Sequence, residues 1–510
     1  MAKSDPFGDL MSGVPRGVAT KFLKDQLPPQ ARWMNPEDIA RHPLLAYDPD
    51  DPGGKILIGR IGERLLGIED NRHMMTVAGS RSGKSVGVIS NLLFYDGSTF
   101  CIDPKGELAS VTARRRRELG QKVFVLDPFK RAKGAAAGMR ARYNPLSVLT
   151  AENPFLIEDA VQITDALIVR SKEERDPHWN ESAAALISGL MLYVALGDDV
   201  EDARRHLGTV RTLIRNALNT DDAGKYAVPK RVLAAADRLA SDGFEDDAAA
   251  IEGAVRGFYD KPENERGSVL STANRHTQFL DYRSMRDVLA GHDFDLRDLK
   301  RDPDGLSVYL CLPAMRMGMC NRWLRLMINQ LLDAMEREET RPAAPVLACL
   351  DEFPVLGPMT ALQDAAGQVA SFGVKLWVIL QDWGQGQSLY GDRWESFAAN
   401  SGVFQAFGNT DVMTTEYLSR RLGETRVLAT RKAEAGPQER AKGLSGRTED
   451  AQSFSLMSPD EIRRVFGRED ELRRQMVIWG RYNPMVLQRV EYYDPSAPTW
   501  TVFQGTFDTP

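Results

Sequence analysis

The segment TVAGSRSGKSVGVISNLL, residues 76–93, constrains this chain more than any other. A short run of apolar β-formers, MMTV at 74–77, leads into a glycine-containing loop, and VGVISNLL at 86–93 carries a helix-compatible apolar pattern. Strand, loop and helix in that order, with Gly-Lys-Ser closing the loop, form the context of a phosphate-gripping G-x-x-x-x-G-K-[ST] motif. Ala78 holds the place of the first glycine. That place needs only a small residue for a tight turn, and Gly79 stands beside it. The reading is a nucleotide site made by Ala78, Gly79, Ser80, Arg81, Ser82, Gly83, Lys84 and Ser85. Loop N–H groups and the positive end of the helix wrap the β-phosphate. Lys84 reaches the β- and γ-phosphates, and the Ser85 hydroxyl completes an Mg2+ shell. ATP and Mg2+ are therefore the expected cofactors.

A second motif supplies what hydrolysis needs beyond binding. In VLACLDEF, 346–353, an apolar run drives a buried strand, and Asp351 and Glu352 emerge at its C-terminal edge, where parallel sheets present ligands. Asp351 is read as holding the Mg2+ shell through water, and Glu352 as polarising the attacking water. KLWVILQD at 375–382 ends another strand in Gln381, whose amide could sense the γ-phosphate. IDPKGE at 102–107 also ends a strand. Asp103, Lys105 and Glu107 there either flank the nucleotide or form a solvated turn.

Composition narrows the class. The 510 residues suggest roughly two to four domains with room for a core. They are 43% hydrophobic and 27% charged, with a formal net charge of −6, which argues against a surface coated for nonspecific DNA binding. Cys101, Cys311, Cys320 and Cys349 lie mostly in apolar strand-like runs without metal-ligand spacing, so they read as reduced core residues. The six histidines, His178 among them, form no ligand set. Four arginines in a row, 114–117, spread around most of a helix and read as a solvated crossover helix. No stretch approaches 18 consecutive apolar residues, so no transmembrane helix is expected.

Strand-like runs at 55–59, 74–79, 98–107 and 122–129 alternate with helical patterns, as βαβ units do. After YNPLS, 143–147, the texture is helical for over a hundred residues. Strand texture returns at 306–313, 346–353, 375–382 and 402–409. The expected fold class is α/β: a RecA-like P-loop nucleotide-binding domain with a parallel sheet, interrupted by an all-α insertion domain. The expected organisation is a polar N-terminal arm at 1–50, the first part of the nucleotide domain at 51–150, the insertion at 151–270 and the second part at 271–510. Residues 430–450 read as a mobile loop, and 475–493 as a closing hairpin.

Taken in order, RSGKSVGVISNLL (81–93), IDPKGE (102–107), VFVLDPF (123–129), YNPLS (143–147), WNESAAALISG (179–189), CLDEFPVLG (349–357) and VILQDWGQGQSLYG (378–391) form one pattern. ARWMNPEDI (31–39), NTDVMTTEYLSRRLGET (409–425) and LMSPDEIRR (456–464) extend it. The pattern resembles the type IV secretion system coupling proteins, the TraG-type conjugative DNA-transfer ATPases, over about residues 30–495. The resemblance implies a homo-hexameric ring around DNA, or a monomer when DNA is absent. It implies DNA-stimulated ATP hydrolysis and a DNA translocase that delivers DNA or nucleoprotein to a secretion (conjugation) channel. Partners would be sequence-independent single- or double-stranded DNA, a relaxase or relaxosome or secreted effectors, and channel components. In its terms Lys84 and Ser85 are the phosphate and Mg2+ residues, Asp351 and Glu352 the second acidic motif, and Gln381 the sensor. Arg316, Arg393, Arg420 and Arg421 are candidates for an arginine finger. Typical members carry transmembrane helices ahead of the nucleotide domain, whereas this chain has a short polar arm. The expectation is therefore a cytoplasmic protein, or one held peripherally at the inner membrane by a partner. The competing reading is a nucleotide-switched receptor for secreted protein substrates that does not pump DNA.

Overall fold

The structure is a computed structural model that describes residues 30–169, 177–359, 362–363, 367–432 and 447–509. In chain order its strands are β1 (Ile56–Ile61), β2 (Arg64–Ile68), β3 (His73–Ala78), β4 (Thr99–Asp103), β5 (Lys122–Leu126), β6 (Leu306–Cys311) and β7 (Val346–Leu350). They continue as β8 (Val374–Leu380), β9 (Ser401–Phe407), β10 (Glu424–Lys432), β11 (Arg447–Ser455), β12 (Arg474–Trp479) and β13 (Met485–Gln488). The chain divides into two compact units, one of residues 1–96 and 375–506, the other of 97–374 and 507–510.

In the first unit the strand order is β2-β1-β13-β12-β9-β3-β8. β3 lies between β9 and β8 and is parallel to both. The flank from β9 outward is antiparallel: β12 pairs with β9, β13 with β12, and β1 with β13 and β2. β12 and β13 form the hairpin expected near the C-terminus. Every residue of β3, β8 and β9 is buried, as expected of strands covered on both faces. That is why they read as mainly apolar runs, interrupted by the buried polar residues His73, Thr76, Lys375, Ser401 and Gln405. β2, in contrast, begins on the exposed Arg64 and carries a glycine, and sequence reading passed over it.

The second unit holds the order β7-β4-β6-β5, parallel throughout. Between β5 and β6 its longer elements are helices, from Leu156–Leu167 to Arg283–Leu289, with one isolated bridge between Thr220 and Tyr226. The α/β class with an all-α interruption is thus present. Among the described residues one helix, His178–Leu196, is long and apolar enough to cross a membrane, with a mean hydropathy of 1.2. It packs against helices Leu156–Leu167, Glu245–Tyr259 and Glu263–Thr277, and most of it is buried inside the unit, as a core helix is.

Two expectations change. Residues 430–450 were expected to be a mobile loop, but 430–432 and 447–450 belong to an antiparallel ribbon, β10 with β11. Residues 433–446 lie outside the described residues. The ribbon's Thr, Val and alternating polar residues suit a two-stranded pairing that a count of charges obscures. In the arginine run 114–117, Arg117 is exposed and Arg114 and Arg115 are half-buried, but Arg116 departs from the solvated helix expected. Arg116 is fully buried and donates to Ser307 Oγ (2.9 Å), the Gly97 carbonyl (2.7 Å) and Gln121 Oε1 (2.7 Å). A buried guanidinium persists where its donors are met, and only the fold brings these acceptors to it. All four cysteines are buried and free.

Candidate functional site

Ala78 closes β3, paired with Phe407 of β9, so it is a strand residue and needs no glycine. The intolerant position is Gly79. A Cβ there would stand 2.1 Å from the Gly408 carbonyl oxygen, closer than real atoms approach. The Gly79 N–H donates to the Phe407 carbonyl at 3.3 Å, and Ser82 Oγ folds back onto the Gly79 carbonyl at 2.5 Å. Arg81 and Gly83 take left-handed backbone angles (φ 59° and 91°), which turn the chain into the helix Lys84–Leu92. Gly accepts this at little cost, whereas Arg81 bears strain of the kind found at functional sites. Lys84 and Ser85 are the first two residues of that helix. All eight residues read from the sequence as phosphate-binding therefore form one strand end, one turn and one helix start. The loop's glycine cradle, the helix's positive end, an ammonium and a hydroxyl fit a polyphosphate and its Mg2+.

Sequence reading missed the residue that pins this loop. Arg489, just beyond β13, donates from Nη1 to the Ser82 carbonyl and from Nε to the Arg473 carbonyl (3.3 Å). Its guanidinium lies 4.8 Å from the centre of the Phe407 ring. Burial, then neighbouring Arg473, pushes its pKa below the usual arginine value. No sequence motif marks it; only the return of the C-terminal hairpin to the loop brings it there.

Gln381 follows β8 directly. Its N–H donates to Gln385 Oε1 (2.9 Å), and its carbonyl accepts from Asn409 Nδ2 (3.4 Å). It lines a cleft of about 610 Å³ with Gly79, Ser80, Asp411, Arg464 and Arg468. The structure thus gathers the phosphate loop and Gln381 in the first unit.

Asp351 and Glu352 belong to the second unit. They follow β7; Asp351 is buried, and Glu352 takes a left-handed φ of 61° ahead of the turn Phe353–Leu356. Asp103 is neither a solvated turn residue nor an open ligand. It is buried and accepts the N–H groups of Glu107 (3.0 Å) and Ala109 (2.9 Å) at the start of helix Glu107–Glu118. Burial, with a contribution from Asp351, raises its pKa to about 6. Asp127, in the sister motif VFVLDPF, accepts from the N–H groups of Arg131 (2.8 Å) and Ala132 (2.9 Å) in the same way. Lys105 is exposed, with Glu107 at 4.0 Å. Of the arginine candidates, Arg421 is engaged in its own unit, over the Phe404 ring (4.4 Å) and on the Tyr417 hydroxyl (2.6 Å). Arg316, Arg393 and Arg420 are exposed. Among the described residues no group of three His, Cys, Asp or Glu could hold a metal ion by itself.

A phosphate loop at the end of a central parallel strand, on an α/β core interrupted by helices, defines a RecA-like P-loop fold. The chain belongs to the type IV secretory system conjugative DNA transfer family, whose model matches residues 29–507. It is 29% identical over 468 residues to a conjugal transfer protein TraG of Escherichia coli, covering 86% of this chain and 71% of that protein. It is 25% identical over 508 residues to the type IV secretion system-coupling protein VirD4 of Bartonella henselae, covering 94% and 75%. The fold is shared with the bacterial conjugative coupling protein TrwBdeltaN70, at a TM-score of 0.61 and 16% identity over 93% of this chain and 98% of that one. It is also shared with plasmid coupling protein TrwB in complex with ADP and Mg2+, at a TM-score of 0.56 and 16% identity over 82% and 86%.

Proposed function

We propose that this chain is a coupling ATPase that hydrolyses ATP and moves DNA or nucleoprotein toward a type IV secretion channel. The observation that carries the reading is the phosphate loop: Gly79 pressed against Gly408, a left-handed turn at Arg81 and Gly83, and Lys84 opening a helix. Membership of the conjugative transfer family supports the choice of DNA, and the TrwB complex with ADP and Mg2+ supports the nucleotide and the ion.

In this reading Lys84 holds the β- and γ-phosphates and the loop N–H groups hold the β-phosphate. Ser85, with Asp351 through water, holds Mg2+, which when bound neutralises charge on the transferred phosphoryl group. Glu352 accepts a proton from the attacking water, and Gln381 registers the γ-phosphate from the strand end beside the loop. An arginine from a neighbouring copy, with Arg316, Arg393 and Arg420 as candidates, completes the site in a homo-hexamer. The all-α insertion, 151–270 between the nucleotide-domain parts 51–150 and 271–510, faces incoming substrate. Work occurs at the cytoplasmic side of the inner membrane, where a partner holds the protein. Contacts to DNA run mainly to phosphates, because a pump passes any sequence, so binding weakens steeply with salt.

The test is ATP turnover with and without single- and double-stranded DNA, run beside mass photometry. Turnover and assembly rising together on DNA addition support the pump. Slow, DNA-blind turnover by a monomer overturns it in favour of a nucleotide-switched receptor.

A further inference from the structure

In the second unit two arginines flank one imidazole. Arg275, on helix Glu263–Thr277, has Nη2 3.5 Å from His276 Nε2, and Arg322, on helix Ala314–Arg337, has Nη2 3.4 Å from His276 Nδ1. Arg322 Nε donates to the Leu167 carbonyl (3.1 Å). Arg275 is exposed and Arg322 half-buried. Among the described residues neither guanidinium has a carboxylate within ion-pair distance. Burial, then Arg275, pushes the Arg322 pKa below the usual arginine value. Two like charges held beside one ring without a counter-charge are an arrangement that an anion relieves. Arg275 also stands on a helix face that is otherwise neutral. Ser268 and Ser271 are exposed and Thr272 is half-buried, and their three- and four-residue spacing sets them along one side with Arg275. Glu265, at the rim of that face, is already held by Lys261 Nζ (2.5 Å) and His178 Nε2 (3.0 Å).

We propose that this face, Ser268, Ser271, Thr272 and Arg275 with Arg322 beside them, holds the phosphodiester backbone of the transported DNA. The inference rests on the DNA reading and deepens it by naming the surface. Guanidinium forks pair bidentately with phosphate oxygens, and hydroxyls donate to them without reading a base, so the contact is blind to sequence as transport requires. Hydroxyls and arginine repeated along a helix match an anion that itself repeats regularly, as a phosphate backbone does and an acidic peptide of mixed sequence does not. With a formal net charge of −6 the chain as a whole repels DNA, so a local cationic patch also fixes where the strand lies.

Fluorescence anisotropy with labelled single-stranded and duplex DNA, read over a salt series, tests this. Arg275→Glu and Ser271→Glu, both at exposed positions, should each weaken binding at least about fivefold with urea midpoints near wild type. Arg275→Glu should also flatten the slope of log affinity against log salt by about one. Arg256→Glu makes the same charge change on helix Glu245–Tyr259, where Arg256 pairs with Glu252, and should bind DNA nearly as wild type does. Wild-type affinity in both Arg275→Glu and Ser271→Glu overturns the face and leaves the DNA reading standing. Equal losses in Arg256→Glu overturn it as a general charge effect, and polyglutamate displacing DNA as well as unlabelled DNA does overturns the choice of phosphodiester. Wild-type protein that binds neither form of DNA overturns the face and the DNA reading together.

Discussion

The guanidinium of Arg489 donates to the carbonyl of Ser82, a residue 407 positions earlier in the chain. Ser82 sits in the turn of the phosphate loop, and Arg489 follows the last strand of the first unit's sheet. The same guanidinium covers Phe407 and bonds the Arg473 carbonyl, so one side chain ties the loop to the strand beside it and to the C-terminal hairpin.

Arg489→Ala should loosen the loop without unfolding the chain. It removes a charge-assisted bond to the backbone and a stacked contact, interactions worth about 1–3 kcal/mol in comparable settings. ATP affinity measured by calorimetry should fall roughly tenfold or more, with Arg489→Lys intermediate because ammonium lacks the planar fork. Unchanged affinity in the alanine variant would show that the loop holds its shape alone.

Ala78 and Gly79 make a paired test of the departure from the usual motif. Ala78→Gly should leave ATP affinity near wild type and cost about 1 kcal/mol of stability, the ordinary price of glycine in a strand. Gly79→Ala should abolish measurable binding, because its methyl group would occupy the space of the Gly408 carbonyl. The reverse ranking of the two variants would mean the glycine requirement lies where the motif places it.

Lys84→Ala and Glu352→Gln should fail differently. The first should lose hydrolysis and bind nucleotide weakly, since the ammonium is the principal cation on the transferred phosphate. The second should bind ATP and stall. A Glu352→Gln protein that turns over at the wild-type rate would falsify the assignment of Glu352.

His276 makes the helical region acid-sensitive. It is buried, with Nε2 on Asn180 Oδ1 (2.9 Å) and Nδ1 facing Arg322 (3.4 Å), an arrangement suited to a neutral ring. Burial, reinforced by Arg322 and Arg275, lowers its pKa from 6.5 to about 3. Unfolded chain takes up a proton near pH 6.5 and native protein does not, so this contribution is present above 6.5 and lost as pH falls toward 3. Urea unfolding from pH 7 to 4 should show wild type losing more stability than His276→Gln. Parallel losses would remove His276 as the cause.

Much of the fold was legible because buried parallel strands advertise themselves. β3, β4, β6, β7, β8 and β9 are buried at every residue, and each appears in the sequence as a compact apolar run. The loop was legible too, since Gly83, Lys84 and Ser85 answer to a local demand of backbone and phosphate. Asp103 was seen as a residue at a strand end, but its work as a buried acceptor for the start of helix Glu107–Glu118 depends on where the next turn folds. β2 escaped because it is only five residues long, opens on exposed Arg64 and is interrupted by Gly67, and the β10–β11 ribbon because a polar sequence carries a weaker strand pattern.

The sequence by itself determined which segments become central strands, which run is mainly helical among the described residues and where a phosphate could be gripped. Those properties follow from interactions between near neighbours and from burial on both faces. Tertiary structure decided the rest. It set β3 between β8 and β9, and so pressed Gly408 against Gly79 and moved the need for glycine one residue along. It carried Arg489 back to Ser82. Contacts between residues hundreds of positions apart leave no periodic trace in a sequence, because each partner is chosen by the packing that brings it there.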